Sequence, residues 1–130
     1  MKHKGCTSDI QSERNRYIAT IFIKMKRSCQ YASMYEICEA ISEKPADRHY
    51  LSEEMGAMIW GRWKATGTLP NNANAYKKKL YHSFIRECTT LYTRGMKNRD
   101  VIRYAPERSA DCLGISPHRV FVILKKKGLR

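Results

Sequence analysis

Long apolar runs are missing from this 130-residue sequence, where the longest span three to five residues, as at Val120-Phe121-Val122-Ile123-Leu124. A membrane-spanning helix needs roughly 18, so no membrane partner is expected. The opening Met1-Lys2-His3-Lys4 is basic but has no apolar segment behind it, so no secretory signal is expected either. Five cysteines (Cys6, Cys29, Cys38, Cys88 and Cys112) include no C-x-x-C pair. The four histidines (His3, His49, His82 and His118) bear no ligand spacing to them or to each other. The expectation is reduced thiols in a cytoplasmic compartment and no metal site, with Cys29, Cys38 and Cys88 acting as small hydrophobes on helix faces. Also missing are a glycine-rich phosphate loop, G-x-S-x-G and H-E-x-x-H. Neither an enzyme nor a cofactor is expected.

Acidic residues are scarce as well. Twelve Asp plus Glu stand against twenty-five Lys plus Arg, a formal net charge of +13. Solubility asks for a magnitude of only about 2–8 in a small domain. A charge this large repels itself in a compact chain, so a polyanionic partner is expected. With 42% hydrophobic and 28% charged residues, the composition is that of one globular domain.

Hydrophobic periodicity reads as helix throughout. From about Asp9 to Gln30, Tyr17, Ile18, Ile21, Phe22, Met25 and Cys29 recur at three- and four-residue steps, with Ser8 or Ser12 as the start signal. Ser33-x-x-Glu36 is a capping box for a second helix with Met34, Ile37, Cys38 and Ile41 inward, closed by Pro45. Ser52 opens a third, with Met55, Ile59 and Trp63 inward and Gly67 as a left-handed stop. Leu69-Pro70-Asn71-Asn72 is a loop, and a fourth helix from about Asn74 to Thr93 carries Leu80, Phe84, Cys88 and Leu91. No period-two segment proposes a sheet. The expected fold is all-α, a compact bundle of about five to six helices in one domain. Residues 1–70 form a three-helix portion, and residues 74–130 a basic helix followed by a C-terminal unit.

Charge follows these elements unevenly. Residues 1–31 hold seven basic and two acidic residues, 77–103 hold eight and two, and 117–130 hold five basic and no acidic ones. Residues 32–60 are the reverse, with two basic and six acidic. Should the three basic segments converge, they make a phosphate-facing surface that includes Lys77, Lys78, Lys79 and Arg94.

The C-terminal unit Ser109-Ala110-Asp111-Cys112-Leu113-Gly114-Ile115-Ser116-Pro117-His118-Arg119-Val120-Phe121-Val122-Ile123-Leu124 reads as two short helices around a turn. Gly114 is placed for a positive φ, Ser116 for an N-cap, and Pro117 for the first helical position. The small Ala110, Gly114 four later, Val120 six after that and Ile123 three on resemble the helix-turn-helix superfamily of DNA-binding proteins over about 20 residues. The resemblance implies that the helix from Pro117 to about Lys127 is a recognition helix. Ser116, Pro117, His118, Phe121, Val122 and Lys125 would then face the groove, and Arg119, Lys125, Lys126, Lys127 and Arg130 the phosphates. Phe121 and Val122 are apolar where such helices are usually polar, which suits thymine methyls or a protein surface.

A second likeness is shorter. Pro45-Ala46-Asp47-Arg48-His49-Tyr50-Leu51-Ser52-Glu53-Glu54 resembles a P-A-x-R-x-Y-[VL]-S-E-E signature of short uncharacterised bacterial proteins, many from prophage-like or conjugative elements. Pro45, Tyr50 and Ser52 read as structural there, with Arg48 and His49 as surface contacts. Of Trp60 and Trp63, one reads as a core anchor and the other as a half-buried lid, with stacking on bases the alternative. Tyr76, Tyr81 and Tyr92, set among lysines and Arg94, cover a core edge or a nucleic-acid surface. Glu36, Glu39 and Glu43 share one helical face and read as solvated.

The expected function is double-stranded DNA binding by a helix-turn-helix, as a regulator or accessory factor of a mobile element or phage, with a homodimer the expected state. Two alternatives stand beside it. One is an interaction or structural protein that meets an acidic protein partner; the other is RNA binding.

Overall fold

Four side-chain caps set where helices begin. In a computed structural model that describes residues 7–28, 33–71 and 73–129, Ser33, Ser52, Asn74 and Ser116 each accept a hydrogen bond from the backbone N–H three residues on. They open α2 (Met34–Glu43), α3 (Glu53–Thr66), α4 (Ala75–Thr93) and α6 (Pro117–Lys126). Each cap satisfies a donor that the first helical turn leaves unpaired. α1 (Thr7–Ser28) already includes Ser8, so that residue lies within the helix rather than before it, while Gln30 and Cys29 lie outside the described residues. α5 (Asn98–Tyr104) runs into a 3-10 turn, Ala105–Glu107. Its seven residues carry no side-chain cap at Lys97, which is why no start signal announces it. Gly67, Gly95, Gly114 and Gly128 all have positive φ, two of them at the expected stop of α3 and after the expected end of α6.

The helices form two groups that cut across the chain order. α1, α2 and α6 pack on one another, and α3, α4 and α5 do the same. One continuous core joins them, with Ile18, Ile37, Ile41, Ile59, Phe84, Val101, Val120 and Leu124 fully enclosed. Leu80, Phe84, Cys88 and Leu91 of α4 are all buried, as their spacing predicts. In α3 the inward side is turned from the expected one. Ile59 is enclosed, but Trp60 rather than Trp63 is the buried anchor, and Met55 is exposed. Gly56 explains the rotation, since a Cβ there would sit 2.9 Å from Phe84 Cζ, so the Gly56 side is the one α3 can bring against α4.

Two connectors cross between the groups. Ala46 and Ala110 pair both ways in an isolated antiparallel bridge (2.9 and 3.0 Å). His49, expected at the surface, is instead fully buried beside this crossing. Its Nδ1 lies 2.9 Å from the Arg108 carbonyl, which only accepts, so Nδ1 carries the proton. Nε2 then accepts from the Ser83 hydroxyl at 2.8 Å, and Ser83 Oγ accepts the Asp111 N–H at 3.1 Å. Burial lowers the His49 pKa and keeps the ring neutral. Arg48 is half-buried against Glu13 (3.4 Å) and over the Tyr50 ring, whose hydroxyl donates to Asp47. The P-A-x-R-x-Y segment is therefore a structural crossing.

Residues 109–113, expected as the first of two short helices, form no helix. Ala110 spends its N–H and C=O on Ala46, Asp111 its N–H on Ser83, and Arg108 its carbonyl on His49. These are the groups a helix there would need internally. Leu113, Val120 and Ile123 are nonetheless buried, and Ile115 half-buried, as expected. Cys38, Cys88 and Cys112 are buried free thiols, and burial pushes the Cys88 thiol up to about 12. No helix among the described residues is long and apolar enough to cross a membrane.

Candidate nucleic-acid interface

α6 owes its position to one buried stripe. Val120, Ile123 and Leu124 face inward, chiefly onto α2 and secondarily onto α1. The Ser42 hydroxyl near the end of α2 donates to the Ile115 carbonyl just before α6 (2.7 Å), so the two helices run antiparallel. At 100° per residue the opposite side carries His118, Phe121, Val122, Lys125 and Lys126. His118, Lys125 and Lys126 are exposed, Phe121 is 38% exposed, and Val122 is half-buried. Of the side chains expected to face a groove, His118, Phe121 and Lys125 are exposed, whereas Ser116, Pro117 and Val122 are half-buried. The Ser116 Oγ accepts the Arg119 N–H at 3.2 Å, and Pro117 occupies the first turn. Lys125 and Lys126 lie in the last turn, where cations complement the helix dipole.

Arg119 flanks this face on the side of α1 and lies near Arg14. The Arg14 guanidinium is partly desolvated, and its pKa is lowered first by burial and then by Arg119. Its side-chain hydrogen bonds among the described residues go to Asn15 Oδ1 (3.2 and 3.1 Å), with no carboxylate partner. Lys77, Lys78 and Lys79 are exposed in the first turns of α4, placed against the helix dipole. Lys77 and Arg14 line one cavity of about 140 Å³, together with Gly114 and Ile115 at the approach to α6. Sequence reasoning did not single out Arg14. Its only signal was membership of a basic first helix.

The structure thus brings Ser116, His118 and Arg119 to one end of α6, with Arg14 and Lys77 around the adjoining cavity. Lys125, Lys126 and Lys127 sit at the other end of the same helix, about 12 Å away along its axis. Lys78 lines a separate cavity with Trp63, Leu69 and His82. Lys79 lies near Asp111 and Cys112. Arg94 is at the C-terminal end of α4, about 25 Å along that helix from Lys77, and is not part of this cluster. Arg130 lies outside the described residues.

Trp60 is committed to the core. Its Nε1–H donates to Asn98 Oδ1 (3.2 Å), its ring meets Tyr92 edge-on, and Lys64 lies 5.6 Å over both rings. Trp63 is half-buried against the edge of His82. Tyr76 and Tyr92 are exposed and Tyr81 is buried. Glu36, Glu39 and Glu43 on α2 are all exposed. No group of three His, Cys, Asp or Glu residues among those described is arranged to hold a metal. No protein-family model, curated protein or solved structure matches the chain.

Proposed function

We propose that the protein binds double-stranded DNA, with α6 in the role of recognition helix, as a regulator or accessory factor of the kind mobile elements carry. The observation that carries this reading is the outer face of α6. A helix held to the bundle by Val120, Ile123 and Leu124 presents His118, Lys125 and Lys126 outward, with Arg119 on its flank and no acidic residue of its own. A major groove accepts a helix in this manner, and phosphates on both sides meet the lysines and arginines at the helix margins. Support for α6 comes from α2 and α1 rather than from a preceding short helix, so its docking angle follows from those partners. A homodimer extends the site that one such helix reads.

Fluorescence anisotropy with random duplex DNA across roughly 50–300 mM salt tests the reading, heparin and single strands serving as competitors. A log–log slope of several units with duplex preferred supports it. Preference for single strands or A-form duplex moves the reading to RNA. One observation favours a second reading: Phe121 and Val122 put an apolar centre on the same face, which suits an acidic protein partner. Absence of duplex binding at low salt selects that alternative.

A further inference from the structure

We propose that the cavity between the start of α1, the start of α4 and the turn before α6 is a phosphate-binding pocket, with Arg14 and Lys77 as its cationic walls. The cavity measures about 140 Å³, and among the described residues no Asp or Glu lines it. Arg14 brings a partly desolvated guanidinium, placed near a second arginine and bonded to an Asn side chain rather than a carboxylate. Lys77 stands in the first turn of α4, where the helix dipole already favours an anion and disfavours a lysine. Among the described residues neither cation meets a carboxylate on the cavity wall, so a dianion seated there accepts charge-assisted hydrogen bonds from both side chains. Gln11, Tyr81, Leu80 and Leu113 also line the cavity.

Gly114 shapes the pocket. Its φ of +81° and its contact with Leu80, where a Cβ would lie 2.6 Å from Cδ2, draw the chain in close beside α4 just before the α6 cap. The phosphate group itself is what the pocket recognises, whether free, as the monoester of a small molecule, or on a nucleic-acid strand. In the last case the pocket anchors a strand beside the N-terminal end of α6 and deepens the DNA reading. In the others it stands without it.

The test is a two-dimensional NMR titration of the full chain with inorganic phosphate at constant ionic strength, chloride serving as the control. Saturable shifts centred on Arg14, Lys77, Gly114 and Ile115 are expected, with affinity reduced about tenfold or more in Arg14→Gln and in Lys77→Gln. Remote resonances unperturbed in both variants would report that the fold is intact. Shifts that grow linearly, spread over all exposed lysines, or persist unchanged in both variants overturn the proposal. A second arm adds unlabelled duplex DNA to the phosphate-saturated protein. Displacement of phosphate assigns the pocket to a strand. Saturable phosphate binding without any duplex binding keeps the pocket and removes the DNA reading.

Discussion

α2 and α6 are near twins in construction and opposites in surface. Each is ten residues long, each opens on a serine whose hydroxyl accepts the N–H three residues on, and they pack antiparallel along one stripe. Their outer faces differ in sign. α2 presents Glu36, Glu39 and Glu43 with the exposed Tyr35, whereas α6 presents His118, Arg119, Lys125 and Lys126 with Phe121. Their dipole logic differs too. α6 has lysines in its last turn and α2 has no basic residue in its own. The shared parts, caps and buried stripe, are what folding requires; the unshared parts are where function is to be sought. A bundle whose helices differed only in packing would teach nothing about partners. This pair separates the two requirements on adjacent helices.

The comparison can be broken most severely at Gly114, which sets the chain's approach to α6 alone. Gly114→Ala meets both a left-handed φ and Leu80, and should destabilise the fold by about 3 kcal/mol, read as the shift in a urea midpoint. Reversing α6 charge, as Arg119→Glu with Lys125→Glu, should weaken duplex binding about a hundredfold with little change in stability. The mirror change on α2, Glu39→Lys with Glu43→Lys, should leave binding equal or tighter; weaker binding there would show that α2 takes part in the contact. Truncating the paired caps, Ser33→Ala and Ser116→Ala, should each cost about 1 kcal/mol, because the two helices begin in the same way. The smallest effect is acid sensitivity at the crossing that holds His49. The folded His49 pKa is lowered, chiefly by burial, whereas the unfolded chain takes up its proton near about 6.5. The unfolded state then binds more protons, so this contribution is intact above about pH 7 and is lost as pH falls through about 6.5. A melting temperature measured at pH 7.5 and 5.5 should fall in the native protein, and the fall should be reduced in His49→Gln.

Sequence reading went furthest where the physics is local. The caps Ser33, Ser52, Asn74 and Ser116 and the glycines Gly67, Gly114 and Gly128 act within a few residues, and each stands where its chemistry places it. The outward face of α6 follows from the same local period. What was not legible depends on partners distant in sequence. Ala110 is small and its surroundings helix-like in sequence, yet its hydrogen bonds go to Ala46, sixty-four residues away. His49 reads as a polar surface residue until Arg108 and Ser83 close around it. Trp60 displaces Trp63 as anchor because Gly56 leaves room for Phe84. Arg14 gives no local sign that it shares a cavity with Lys77, sixty-three positions on. Only tertiary geometry supplies these pairs.

The outer face of α6 is the surface proposed to meet DNA. The most direct measurement is amide chemical-shift mapping of the full chain with a short duplex at about 100 mM salt, where non-specific electrostatic contacts are already weakened. Large shifts are expected at His118, Arg119, Val122 and Lys125, smaller ones around Lys77 and Arg14, and none along Glu36, Glu39 and Glu43. Shifts concentrated on α2, or on the Trp63 and His82 cavity with α6 silent, would contradict that proposal.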